Sequence, residues 1–274
     1  MTIRLWAEAT TEQIARAAAD EAGLLAIQPI GAVEQHGPHL PLVTDALIAE
    51  ALAAAAAGRY AGPGHWLLPT LSYGRSTEHL GRAGTIALSA ATLLAVCLDL
   101  GHSLAASGVR KLVFVNGHGG QPSLLDVVAR DIRNQCGLEV FSVMPARFGL
   151  PADVKDPDPF GIHGGFVETS AVLALRPDLV HLDLAAPGGL ELGELYRGYR
   201  HLTLEGTVPT AWLIDDVSAS GVVGDPAGAS AEAGAAVVEH WTSALAEALA
   251  EIATFTFPAG HARPARPARG TAGA

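Results

Sequence analysis

Residues 29–45, PIGAVEQHGPHLPLVTD, place Glu34, His36, His39 and Asp45 within seventeen positions, with no other charged side chain between them. Carboxylate oxygen and neutral imidazole nitrogen are ligands for hard and borderline divalent cations. Extended side chains two positions apart point the same way, so Glu34 and His36 can face one cavity if the segment continues a strand. Asp45 can join them from the next helix, because Thr44 or Asp45 is a natural N-cap for ALIAEALAAAAAG. Pro29, Pro38 and Pro41 stiffen the path between. Any one of these residues alone reads as solvated loop polarity. Together, beside two apolar segments, they favour a site.

Two more loops offer ligands. His118 lies in FVNGHGGQP, where Gly117, Gly119 and Gly120 let the backbone bend tightly and leave the imidazole open to an ion. A glycine-rich loop between strand and helix also resembles a phosphate cradle, but this one lacks both the Walker Lys-Ser/Thr pair and the GxGxxG spacing, so metal is the favoured reading. The cluster HGGFVETS adds His163 and Glu168. Glu168 opens a helix, where a carboxylate can also simply complement the helix dipole. The two cysteines, Cys97 and Cys136, fall in apolar, helical settings and suggest neither a disulfide framework nor a thiolate zinc site.

The elements that must position these groups alternate along the chain. A Thr-capped amphipathic helix is expected over residues 10–21, then a buried strand at 24–30 that runs into the ligand loop. Helices are expected at about 45–57, from Ser89 to Gly108, from Pro122 to about Gln135, over SAVLAL up to Pro177, and from about Ser230 to Ile252. Strands are expected at Trp66–Pro69, Lys111–Val115 and Leu138–Met144. Such alternation implies right-handed βαβ units, a mainly parallel sheet and helices on both faces, an α/β fold. Ligands in such sheets sit beyond the carboxyl ends of the strands, where the loops at 34–45 and 116–120 both lie. Residues 184–228, rich in Gly and turn residues, are less legible and read as a lid or a subunit contact. Trp66, Tyr73 and Trp212 read as packing.

A chain of 274 residues with 49% apolar and 16% charged content describes an ordinary globular core. No boundary divides residues 1–256, read as one domain, while 257–274 has the composition of an extended or disordered tail. A formal charge of 17 − 28 = −11 argues against nucleic-acid and anionic-membrane partners. With no leader-like or membrane-spanning run, a cytoplasmic protein is expected.

Four stretches in order, GAVEQHGPHLPLVTD (31–45), YGRSTEHLGRAGT (73–85), VNGHGGQ (115–121) and HGGFVETS (163–170), resemble the creatininase (creatinine amidohydrolase) family, and the agreement covers about residues 24–228. The resemblance implies a three-layer α/β/α hydrolase, assembled as a homohexamer, with two divalent metals per subunit: zinc first, with manganese or iron also suited. Carried over by position, Glu34 and His118 would hold one ion and His36 the other, Asp45 would bridge both, and His163 matches a catalytic histidine. Two departures stand out: Gly120 and Ile162 occupy positions where creatininase itself has glutamates. The pattern is closer to branches such as the mycofactocin precursor peptidase and the formylaminopyrimidine deformylase, in which the counterpart of Glu168 would supply the second carboxylate. His39 is expected to support the ligand loop from behind, Ser76 to contact substrate, and Glu78 and His79 to line the pocket or a subunit contact. The implied activity is hydrolysis of a non-standard C–N bond in a small amide, a cyclic amide or formamide, by a hydroxide shared between two ions. Alternatives are trimming of a precursor peptide and, in another class, a non-catalytic metal- or ligand-binding module.

Overall fold

The computed structural model describes residues 3–19, 23–60, 62, 64–157 and 160–258. Strands β1 (Leu24–Ile30), β2 (His65–Leu67), β3 (Val109–Asn116) and β4 (Glu139–Val143) form a wholly parallel sheet in the order β2-β1-β3-β4. The two most apolar segments take the central places: every residue of β1 is buried, as are Leu112 to Asn116 of β3. β4, only half-buried, lies at an edge.

Alternation along the strands divides the core in two. Ile27, Val113 and Val115 face helices α2 (Thr44–Arg59), α5 (Phe166–Leu175) and α8 (Ala231–Thr254), through Leu52, Val172, Leu245 and Leu249. Ala26, Leu112 and Phe114 face α3 (Ala90–Ala106) and α4 (Pro122–Cys136), through Leu93, Cys97, Leu125 and Ile132. The result is the expected three-layer α/β/α arrangement. Its chain crosses from β2, on one side of β1, to β3 on the other, so the crevice of the fold opens between the carboxyl ends of β1 and β3.

Local signals mostly act where expected. Thr10 and Gln13 form a capping box on α1 (Thr11–Ala18). Ser89 accepts from Thr92 N at 3.1 Å, and Pro122 opens α4, which ends at Gly137 with φ of 77°. β2 stops at Leu67, short of Pro69. The expected cap of α2 is different: Val43 is the N-cap and no side chain caps the helix. Thr44 Oγ1 donates to Pro41 O at 2.7 Å, and Asp45 sits inside the first turn with its carboxylate free of backbone capping. Nor does β1 continue into the ligand loop, which past Ile30 makes only isolated bridges.

Residues 184–228 have a small core of their own, Leu192, Tyr196, Leu204, Ile214, Val217 and Val223, gathered by α6 (Leu192–Arg197) and α7 (Ile214–Val217) with the two-residue strands β5 (Leu202–Thr203) and β6 (Val208–Pro209). Of the expected tail, residues 259–274 lie outside the described residues. No described helix is long and apolar enough to cross a membrane.

Candidate active site

The loops after β1 and β3 meet at the crevice because backbone can press on backbone there. A Cβ on Gly117 would lie 2.2 Å from Asp45 O, and one on Gly31 would lie 2.3 Å from Ala46 N, so only glycine permits this approach of α2 to both loops. Asn116 folds the second loop, its Nδ2 donating to His118 O at 2.8 Å and its Oδ1 accepting from His118 N at 3.1 Å. Gln121 ties the loops together, Nε2 donating to Asn116 Oδ1 at 2.9 Å and to Gly31 O at 3.3 Å.

Glu34, His36, Asp45, His118, His163 and Glu168 converge. Asp45 is central: its Oδ1 lies 3.0 Å from His36 Nε2 and its Oδ2 lies 3.0 Å from His118 Nδ1. Glu34 Oε1 lies 3.3 Å from His118 Nδ1, 3.7 Å from His163 Nδ1 and 3.9 Å from His36 Nε2. Glu168 Oε2 lies 3.8 Å from His36 Nε2 and accepts from Gly164 N at 2.6 Å. Among the described residues, three groups have the reach to hold a cation: Glu34 with Asp45 and His118, His36 with Glu168 and His163, and Glu34 with His79 and His163.

The hydrogen bonds around this cluster fit a cation. His36 Nδ1 is 3.2 Å from Glu34 O, and His118 Nε2 is 3.0 Å from Arg75 O. A carbonyl only accepts, so those nitrogens carry the hydrogens and each ring turns its other nitrogen to the carboxylates. Both oxygens of Glu34 and Oδ2 of Asp45 are buried without a hydrogen bond, a costly state unless positive charge sits among them. Burial alone would lower the His36 imidazole, but the Asp45 carboxylate, with Glu168 and Glu34 behind it, lifts it to about 10. His118 is likewise raised, against its burial, by Glu34 and Asp45. These shifts express the affinity of the pocket for positive charge. Asp45 is held well below the carboxylate range, its burial outweighed by His36 and His118.

Burial shifts two other groups towards their neutral forms. Burial and the neighbouring His36 and His79 push His163 well below its ordinary value. Glu168, whose side chain is 24% exposed, is raised to about 7 by removal from water, with Asp45 adding and His36 opposing. His163 stacks between His36, at 4.1 Å, and His79, at 4.2 Å between ring centroids.

The remaining predicted residues fall in different places. His39 Nε2 is 2.9 Å from Thr169 Oγ1, which ties the ligand loop to α5 behind the cluster; burial and His36 lower its pKa to about 4. Ser76 is fully buried, is absent from the cleft lining, and carries its main-chain carbonyl to His79 N. Glu78 and His79 do line the cleft. Glu78 Oε1 lies 3.4 Å from His118 Nε2, and a Cβ on residue 120 would stand 1.7 Å from that same oxygen. Gly120 therefore leaves room that the Glu78 carboxylate takes. Trp66 packs against Trp6, whereas Trp212 also lines the cleft and sets its edge against His79.

Sequence reasoning missed Gln35, Arg75, Asn116, Gln121 and Glu205. The first four are polar residues embedded in or beside the ligand motifs, a signal that was there to use; Glu205, at the cleft mouth, had none. A cavity of about 330 Å³ adjoins the cluster and shares Gly119, Ile162, His163, Glu168 and Glu205 with it. Its walls are apolar, including Ile48, Leu52, Met144, Leu150, Val167 and Trp241, and its charged lining residues are Asp156, Glu168 and Glu205, all acidic.

The chain is similar to known proteins over most of its length. A family model described as creatininase, creatinine amidohydrolase, matches residues 7–249. The mycofactocin precursor peptide peptidase of Mycobacterium ulcerans (strain Agy99) is 37% identical over 203 residues, 72% of this chain and 76% of that protein. The creatinine amidohydrolase of Pseudomonas putida is 34% identical over 191 residues, 63% of this chain and 71% of that protein. A crystal structure of creatinine amidohydrolase superposes with a TM-score of 0.72 at 27% identity, covering 93% of this chain and 100% of that one. A solved manganese creatininase gives 0.70 at 28% identity, covering 91% and 98% of the two chains. A mutant of zinc–zinc type gives 0.70 at 28%, covering 92% and 98%. With the sheet order, the meeting of the three motif loops and the match across most of its length, the chain belongs to the creatininase family of hydrolases.

Proposed function

We propose that this chain is a metal-dependent amidohydrolase that cuts a non-standard C–N bond in a cyclic amide, a formamide or a similar small amide. The observation that carries this reading is the shared arrangement of His36 and His118. Each has one nitrogen anchored on a backbone carbonyl and the other turned to buried carboxylate oxygens that lack hydrogen bonds. Glu34, Asp45 and His118 would hold one divalent cation, and His36 and Glu168, which Asp45 also adjoins through His36, would hold a second. Nitrogen and oxygen ligands without thiolate suit zinc first, and manganese or ferrous iron as well. Bound there, the ions supply acidification of a water and polarisation of a carbonyl oxygen.

The protein groups do the rest. His163 Nε2 lies 2.6 Å from Gln35 O, so its hydrogen is committed to that carbonyl and Nδ1 offers a lone pair towards Glu34. A neutral imidazole so placed accepts a proton from the attacking water and returns it to the leaving nitrogen. The apolar, acid-lined cavity beside it takes the uncharged or cationic remainder of the substrate and disfavours an anionic one. His39 holds the ligand loop in register from behind.

A second reading, trimming of a small precursor peptide, is favoured by the 37% identity to a protein named for that activity. A module of another class that holds a single structural ion would close every coordination position, whereas here a cavity reaches the cluster; one that binds a ligand without cutting it would show no turnover in the assay below. Assembly as a homohexamer in the cytoplasm is proposed on family resemblance, and sedimentation tests the stoichiometry. To test the activity, zinc-, manganese- and iron-loaded protein is offered cyclic amides, formamides and short peptides. Turnover of one class by wild type, falling about 10²- to 10⁴-fold in His163→Ala with both ions retained, is expected. Loss of one ion in that variant would make His163 a ligand instead, and no turnover by fully loaded protein would overturn the reading.

A further inference from the structure

Gln35 stands between two of the proposed ligands, and its own hydrogen bonds decide what two neighbouring histidines can do. Its Oε1 accepts from Gly37 N at 3.0 Å and its Nε2 donates to Gly221 O at 3.0 Å. A main-chain N–H only donates and a carbonyl only accepts, so the amide has one orientation. Nε2 also lies 2.9 Å from His79 Nδ1 and 3.1 Å from His163 Nε2. His163 Nε2 already bears the hydrogen it gives to Gln35 O at 2.6 Å, so it cannot accept another. The second amide hydrogen therefore goes to His79 Nδ1, and the hydrogen of a neutral His79 is on Nε2.

The two rings stack at 4.2 Å with their planes 23° apart, and both line the small pocket. They present opposite chemistry to it. His163 shows Nδ1 with a lone pair, 3.7 Å from Glu34 Oε1; His79 shows Nε2 with a hydrogen, 3.6 Å from the same oxygen. We propose that Gln35 is a positioning residue that gives these stacked imidazoles opposite tasks, His163 as the base and His79 as a fixed hydrogen-bond donor that holds no metal. His79 has the reach of a ligand, being grouped with Glu34 and His163, but its inward nitrogen has no free lone pair. An N–H there is placed to hold the carbonyl oxygen of a substrate as negative charge builds on it. The same amide reads the cover of the cleft, because its other hydrogen is held by Gly221, where a Cβ would stand 2.0 Å from Gln35 Oε1.

The tasks rest on the hydrolase reading, whereas the tautomers do not, and the test separates them. Long-range ¹H–¹⁵N spectra of the histidine rings, taken on metal-free and zinc-loaded protein, are expected to show the hydrogen of both His79 and His163 on Nε2. In Gln35→Glu, read at a pH where the new carboxylate is ionised, the side chain only accepts, so a hydrogen of His79 comes to Nδ1 while His163, held by a main-chain carbonyl, keeps its own. Gln35→Met leaves His79 as a mixture of tautomers. Zinc content stays unchanged in both variants. With a substrate in hand, His79→Leu lowers kcat about 10²- to 10³-fold with little change in KM, and His79→Gln, which keeps a donor, recovers part of the loss. A wild-type His79 with its hydrogen on Nδ1, a His79 ring nitrogen that takes a ligand shift on zinc loading, or an unmoved tautomer in Gln35→Glu would each overturn the proposal.

Discussion

Glu34 and Asp45 are buried carboxylates with oxygens that no hydrogen bond satisfies, and the imidazoles opposite them take up charge in compensation. The pH dependence of the metal-free protein follows. His36 binds its proton more tightly folded, at about 10, than unfolded, at 6.5. Its stabilisation is complete below about 6.5 and is lost as pH rises through 10. The melting temperature of metal-free protein should therefore fall between pH 7 and pH 10, and zinc loading should flatten that slope by replacing the proton; scanning calorimetry checks both. Glu78 and Gly120 give a second test. A Cβ at 120 would meet Glu78 Oε1 at 1.7 Å and His118 Nε2 at 2.5 Å, so Gly120→Ala should cost about 1–3 kcal/mol. Part of that should return in the double variant with Glu78→Ala, a coupling of about 0.5–3 kcal/mol visible in denaturant melts. The ligand candidates were legible because they crowd three short motifs. The Glu78–Gly120 pairing was not, since nothing local says that a residue 42 positions upstream fills a missing side chain.

At the scale of elements, alternating apolar runs and helix periods gave the order of strands and helices, and caps such as Thr10 and Ser89 marked the starts. The reading of α2 differed for a physical reason: a carboxylate spent on capping a backbone N–H would not be free for an ion, and Asp45 stands one residue inside the helix instead. Another contact hidden from sequence is Lys111. Its ammonium, from the third position of β3, donates to Ile252 O at 2.7 Å and Ala253 O at 2.9 Å, and also to Phe255 O, closing the carboxyl end of α8. Lys111→Met should lower unfolding free energy by about 1.5–3 kcal/mol and leave metal content unchanged, as urea titration and metal analysis would show. An unchanged stability would mean that water caps α8 equally well.

The whole molecule sets the site at the point where the strand order reverses and brings residues 184–228 against it, through Glu205 and Trp212 in the lining and Gly221 on Gln35. That segment was unreadable in sequence because its core is six residues gathered by helices of only six and four residues and by two-residue strands, each too short to show a period. Arg82 fastens it: Nε donates to Asp215 Oδ1 at 2.8 Å, Nη1 to Ala219 O at 2.9 Å and Nη2 to Ser218 O at 2.9 Å. Arg82→Ala should raise KM several-fold and speed proteolysis within residues 213–222, with a smaller change in kcat, because the cover is loosened and the catalytic groups are left in place. The central claim is that one aspartate joins two cation positions formed by three distant loops. Metal analysis of purified wild type and Asp45→Ala, after loading with zinc and removal of the excess, tests it most directly. Two ions per wild-type chain and none in the variant are predicted; two ions retained without the Asp45 carboxylate would contradict the account.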